Sequence, residues 1–181
     1  NPTRFRRAFW NINTYGLRIA NNIRLQVDNN NVNPKSPMKA TTGKKKIAFI
    51  LKGPYKLAHS EFLQSFLVGC KFFLSKVDVH LILVDVSNID LTELKHITIH
   101  TLANNKLASK KIAEYIKFCR NEQFDHICWV ACVQDITLYM GLQLAPSQSY
   151  WSMKYHSIIM PTIQKYAGLG FGGKSFEFDD V

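Results

Sequence analysis

From Lys46 onward, short apolar runs alternate with amphipathic stretches of helix length, and this alternation constrains the fold more than any single motif. Ile47-Ala-Phe-Ile-Leu51 reads as a buried strand, broken by Lys52-Gly53-Pro54-Tyr55. A helix is expected over Leu57 to Ser75, with Phe62, Phe66, Gly69 and Phe73 on one side. Val77 to Val84 is a second strand, Ser87 to Leu94 a short helix and His96 to Thr101 a third strand. Leu107 to Asn121 is a helix with a stripe of Ile112, Tyr115, Ile116 and Cys119; His126 to Ala131 is a fourth strand. A short helix over Gln134 to Leu142 precedes a fifth strand of about five residues from Ala145. Pro161 to Ala167 reads as helical, and the residues after Lys174 alternate like a last strand. Strand–helix alternation of this kind implies an α/β domain: a mostly parallel sheet of five or six strands with helices on both faces. In such sheets ligands sit at the carboxyl ends of the strands. The loops after Leu51, Val84, Thr101, Ala131 and Ser149 are therefore the places where chemistry is expected.

Charge divides the chain. The net charge is +10, yet residues 1–46 hold ten Lys and Arg against one acid, Asp28, while residues 47–181 hold 13 bases and 12 acids. The basicity belongs to an N-terminal arm, so the nearly neutral body is not expected to bind nucleic acid through its own face. Within residues 1–28, Phe5, Phe9, Ile12, Ile19 and Ile23 recur at helical spacing, with Arg4, Arg7, Arg18 and Arg24 around them. That is a basic amphipathic helix, packed on its own body or docked on an acidic partner such as RNA. Residues 29–45 are polar, contain two prolines and lack periodicity, as a linker does. Residues 46–181 form the α/β domain.

Several classes are set aside. No apolar run approaches the roughly 18 residues of a membrane span. Asn1-Pro2-Thr3-Arg4-Phe5-Arg6-Arg7 lacks the apolar centre of a secretory signal. Cys70, Cys119, Cys128 and Cys132 show no Cys-x-x-Cys spacing and read as reduced core thiols of a cytoplasmic protein. His96 and His100 have i, i+4 spacing but sit on an expected strand, where they are about 13 Å apart, so no metal is expected there. Gly168-Leu-Gly-Phe-Gly-Gly173 fits G-x-G-x-x-G and, with Lys174-Ser175, the P-loop pattern. Each motif needs a strand before it and a helix after it, and neither is expected here. A P-loop nucleotide-binding protein and a non-catalytic interaction module with a basic arm remain the alternatives.

Two sets of residues carry the candidate site. His59 follows the first strand and opens the first helix, a ligand-end position where imidazole titrates near neutrality without tuning and can serve as a general base. The stretch Leu142 to Tyr166 concentrates side chains that have an apolar body and a polar tip. Tyr150, Trp151, Tyr155 and His156 can stack on a ring and hydrogen-bond it, and Gln148, Ser149, Ser152 and Lys154 add donors. Buried strand aromatics are the competing reading of the same residues.

Ile47–Leu51, His59 at the head of the first helix, and Ala145-Pro146-Ser147-Gln148 running into Tyr-Trp-Ser-Met-Lys-Tyr-His156 together resemble glycosyltransferases of the GT-B kind, built from two Rossmann-like domains. The likeness is to bacterial relatives of the O-linked N-acetylglucosamine transferases and cytoplasmic protein glycosyltransferases, over about residues 46 to 166. It implies a Rossmann-like acceptor-side half, with His59 as base or acceptor-orienting group. Gln148, Tyr150, Trp151, Lys154 and His156 would contact substrate. It also implies a nucleotide-sugar co-substrate and an acceptor, no metal and no other cofactor. The donor would be held mainly by a second, C-terminal domain that is expected to lie outside this chain.

Overall fold

A computed structural model describes residues 43–52, 58–84, 86, 90–102, 108–130, 139–152 and 162–168, together with Arg18 and Asn22, which are helical and exposed. The expected arm otherwise lies outside the described residues, as does the linker up to residue 42; its last residue, Lys45, is already strand. The fold is Rossmann-like α/β. Six strands, β1 (Lys45–Lys52), β2 (Val77–Val84), β3 (Thr98–Leu102), β4 (His126–Val130), β5 (Ser147–Ser152) and β6 (Lys165–Gly168), form one sheet in the order β3-β2-β1-β4-β5-β6. Every neighbouring pair is parallel. Two helices, α1 (Ala58–Gly69) and α2 (Ala108–Glu122), are described in full.

Parallel strands covered on both faces need apolar residues at consecutive positions, not at alternate ones. β2 satisfies this from Val79 to Val84, all buried, with His80 the single polar residue in the run. The pleat then sorts side chains by face. Ala48, Ile50, Ile82, Ile127, Trp129 and Tyr150 pack against Ile112, Tyr115, Ile116 and Cys119 of α2. Phe49, Leu51, Leu81, Leu83, Cys128 and Val130 pack with Leu63 and Leu67 of α1.

Several boundaries differ from the sequence expectation. The first helix stops at Gly69 and tightens into a 3-10 turn, Cys70–Phe73, which leaves Phe73 exposed instead of in its stripe. The third strand begins at Thr98; His96 lies in the turn before it, donating from Nε2 to the Leu67 carbonyl at 2.8 Å. Of the short helix expected over Ser87 to Leu94, the described part is a 3-10 turn at Thr92–Leu94. Residues 165–167, expected to be helical, belong to strand β6 instead. Its backbone pairs with β5 from Ser149↔Lys165 to Ser152↔Gly168, and a tertiary ladder overrides weak local preference over so few residues. A last strand after Lys174 lies outside the described residues.

Candidate functional site at the carboxyl edge of the sheet

All six strands run the same way, so their carboxyl ends share one edge: Lys52, Val84, Leu102, Val130, Ser152 and Gly168. The strand order reverses between β1 and β4. There α1, after β1, packs on one face and Tyr139, Met140 and Leu142, ahead of β5, on the other, and in open α/β sheets the ligand crevice usually lies outside such strand ends; residues 53–57 and 131–138 there are outside the described residues. Leu51 of β1 is in register with Val130 of β4, and Val130 with Trp151 of β5, so these three lie in a row next to the carboxyl ends at the reversal.

The backbone of α1 opens beside this row. His59 is its second residue, one turn ahead of Phe62. The side chain of His59 lies outside the described atoms, as do Lys154 and His156 altogether. Trp151 is half-buried and ties β5 to α1: its indole meets Phe62 edge-on at 5.4 Å and Phe66 at 5.1 Å, and Phe66 meets Phe49 at 5.5 Å. Edge-to-face pairs of this kind contribute about 0.5–1.5 kcal/mol each beyond burial. Phe62 and Phe66 remain 43% and 44% exposed, so the cluster forms an apolar shelf beside the crevice. Trp151 thus packs on the helix that His59 heads.

Gln148 and Tyr150 do not join them. The expected ligand loop is strand as far as Ser152, so its residues alternate between faces, and Gln148 and Tyr150 point away from Trp151 into the α2 side. Tyr150 is 1% exposed and cannot stack on a ligand from there. Gln148 is 0% exposed and its amide is fully engaged. Nε2 donates to the carbonyls of Met140 at 3.1 Å and Thr162 at 3.0 Å, while Oε1 accepts from Trp129 Nε1 at 3.3 Å. Its backbone N–H donates to Gln164 Oε1 at 2.7 Å, and its carbonyl accepts from the Gln164 N–H at 3.0 Å. Gln148 is therefore a pin holding β5, β6 and the turns beside them, and it has no free group to offer a substrate.

Two polar groups were not visible as groups in the sequence. On the α1 face, His126 lies between Ser147 Oγ (2.9 Å from Nδ1) and Ser149 Oγ (2.8 Å from Nε2). Burial, then Lys165 on β6 beyond β5, lowers the His126 pKa below its ordinary 6.5. On the α2 face, His80 Nδ1 and His100 Nε2 are 2.8 Å apart. Their ring planes differ by 2° with centroids 5.2 Å apart, which together with the short N···N distance places the rings end to end in nearly one plane, sharing a hydrogen-bonded proton. Glu122 at the end of α2 completes a group whose nitrogen and oxygen atoms lie within 4.8 Å of one another. Glu122 Oε2 is bound by Lys46 Nζ at 2.7 Å, which is the main reason its pKa is lowered. His100 is also lowered, first by burial and then by His80. Adjacent strands in register (Ile82↔His100) bring these histidines together from 20 residues apart, a relation that i, i+4 spacing does not reveal.

These shifts imply a pH dependence. A histidine lowered by folding is neutral in the folded chain while the unfolded chain still binds a proton, so stability is full above pH 6.5 and is lost as pH falls below it. Glu122, lowered from 4.5, adds a second loss as pH falls below that value. Urea midpoints measured from pH 8 to pH 4 should be flat down to about pH 6.5 and then decline. His126→Asn should make the decline shallower between pH 6.5 and 5; an unchanged slope would remove His126 as a source.

The described cysteines are chemically quiet. Cys70, Cys119 and Cys128 are free and buried. Burial pushes the Cys119 thiol up to about 12 and that of Cys128 to about 11, far from a reactive thiolate. Among the described residues no helix is long and apolar enough to cross a membrane. No protein-family model matches the chain, and no curated protein matches it.

Proposed function

We propose that this chain is the acceptor-side domain of a glycosyltransferase that moves a sugar from a nucleotide-sugar to an acceptor. One observation carries the reading: the strand order reverses between β1 and β4, and the head of α1, with His59, shares that carboxyl edge with Trp151. An aromatic shelf beside a general base suits a sugar acceptor, because pyranose rings present apolar faces that pack on aromatic side chains. In this reading His59 deprotonates or orients the acceptor, Trp151 with Phe62 and Phe66 supports its ring, and Lys154 and His156 contact substrate from the segment after β5. A second domain supplies most of the donor contacts, with no metal required.

Calorimetry with uridine and guanosine diphosphate-sugars tests the division of labour. This chain should bind them more weakly than about 1 mM, equivalent to only about 4 kcal/mol. A micromolar dissociation constant would mean a complete nucleotide site and would end the half-enzyme reading. The intact gene product should transfer labelled sugar from one of these donors; hydrolysis or transfer of none of them would count against the activity itself.

A second reading has one observation in its favour. Strand β6 ends on Gly168, so the run Gly168 to Ser175 does have a strand before it, as a phosphate-binding loop requires. Micromolar ATP binding abolished by Lys174→Ala would favour this reading over the first.

A further inference from the structure

We propose that His80 Nδ1, His100 Nε2 and the Glu122 carboxylate form a site for a first-row divalent metal ion, Zn²⁺ foremost, which staples edge strand β3 and the end of α2 to β2. The donor set is two imidazoles and a carboxylate within 4.8 Å of one another. Zinc accepts this combination, leaving a fourth position for water, whereas Mg²⁺ and Ca²⁺ prefer oxygen cages. His80 is held for the role. It is 3% exposed, and its other nitrogen, Nε2, faces the Asp78 carboxylate at 3.1 Å. That contact lies outside hydrogen-bond alignment, and Nε2 has no other partner. The negative charge of a carboxylate this close to the distal nitrogen favours the tautomer with the proton on Nε2 and the Nδ1 lone pair toward His100, the tautomer usual in metal-bound histidines with a carboxylate behind them.

In the metal-free chain His100 Nε2 donates its proton to the His80 Nδ1 lone pair, and the Lys46 ammonium rests on Glu122 Oε2 at 2.7 Å and on the Glu122 carbonyl at 3.0 Å. Metal binding requires neutral His100 to carry its proton on Nδ1 instead of Nε2, and it displaces the ammonium from Glu122 Oε2. The nitrogens must part from 2.8 Å to roughly 3.3 Å for tetrahedral bonds of about 2.0 Å, with the rings tilting out of line. β3 can make this adjustment because, among the described strands, it is at the edge and pairs only with β2. The site is also separate from the crevice: His80 is four residues before the end of β2, about 13 Å along the strand.

The chelator-treated full chain should be titrated with Co²⁺, then with Zn²⁺. One equivalent of cobalt should give visible d–d absorption without a thiolate charge-transfer band, and zinc should abolish it. Saturating zinc should raise the melting temperature by about 5 °C. His100→Ala lies at the sheet edge and should fold, with an unchanged far-UV spectrum, yet bind cobalt at least tenfold more weakly. Asp78→Asn should weaken binding roughly tenfold through His80. Lys46→Met should tighten it several-fold by removing the competing ammonium, a response that random surface binding would not show. Cobalt affinity weaker than about 100 μM, a thiolate band, or a spectrum unchanged in both His100→Ala and Glu122→Gln would overturn the proposal.

Discussion

Replacing Gln148 with alanine is expected to lower the unfolding free energy by about 4 kcal/mol. The substitution leaves the Met140 and Thr162 carbonyls and the Trp129 indole N–H without their partner in a region closed to water, and it leaves a cavity where the side chain was. Each abandoned buried group costs roughly 1–3 kcal/mol, although Gln164 Nε2 still reaches the Thr162 carbonyl at 3.2 Å and softens the loss there. A domain of this size has roughly 5–15 kcal/mol in total, so the variant should lie near the edge of folding at 37 °C. Gln148→Glu should be worse at neutral pH, since it turns a carboxylate toward two carbonyl oxygens. Urea denaturation reads both. A loss under about 1 kcal/mol for alanine would show that the network is not a structural pin and would return Gln148 to the list of residues free to contact a ligand.

In an active enzyme that includes the donor-side domain, His59→Ala is expected to reduce turnover by roughly 10²–10⁴-fold if His59 is the base. His59 is the second residue of α1, and a melting curve of the variant separates loss of the base from loss of the fold. A pH–rate profile separates base from orienter. Loss of the lower pKa limb in the variant marks a base, whereas a raised KM with the limb intact marks an orienting group. A change under threefold in turnover would remove His59 from either role and leave the crevice without its candidate base.

How much of this was legible beforehand depended on what each residue answers to. β2 was readable to its end residues because burial on both faces demands apolar residues at consecutive positions, and Val79 to Val84 is apolar everywhere but at His80. α2 was readable from its stripe, whose members Ile112, Tyr115, Ile116 and Cys119 are all buried. β6 was not, because four residues carry too little pattern and its pairing is decided by β5 and by Gln164 locked to Gln148. The face each side chain takes was the other blind spot. Gln148, Tyr150 and Trp151 looked like one group in the sequence, and a one-residue step in a strand separates them onto opposite sides of the sheet. The histidine pair was hidden for the converse reason: its members are distant in sequence and meet only through register.

The central strand sits between partners made at very different times. β1 pairs β2 about 30 residues later, but its other edge waits for β4, with Ile47 finally opposite His126. At ribosomal speeds of roughly 5–20 residues per second, that apolar edge is without its partner for about 4–15 s during synthesis. Lys46 and Asp125 close the gap at the strand starts: the Lys46 N–H donates to Asp125 Oδ2 at 2.8 Å and the Asp125 N–H to the Lys46 carbonyl at 2.9 Å. Until those bonds form, the nascent chain presents a template for strand addition, which makes the interval before β4 emerges the stretch of its biogenesis most dependent on chaperone cover.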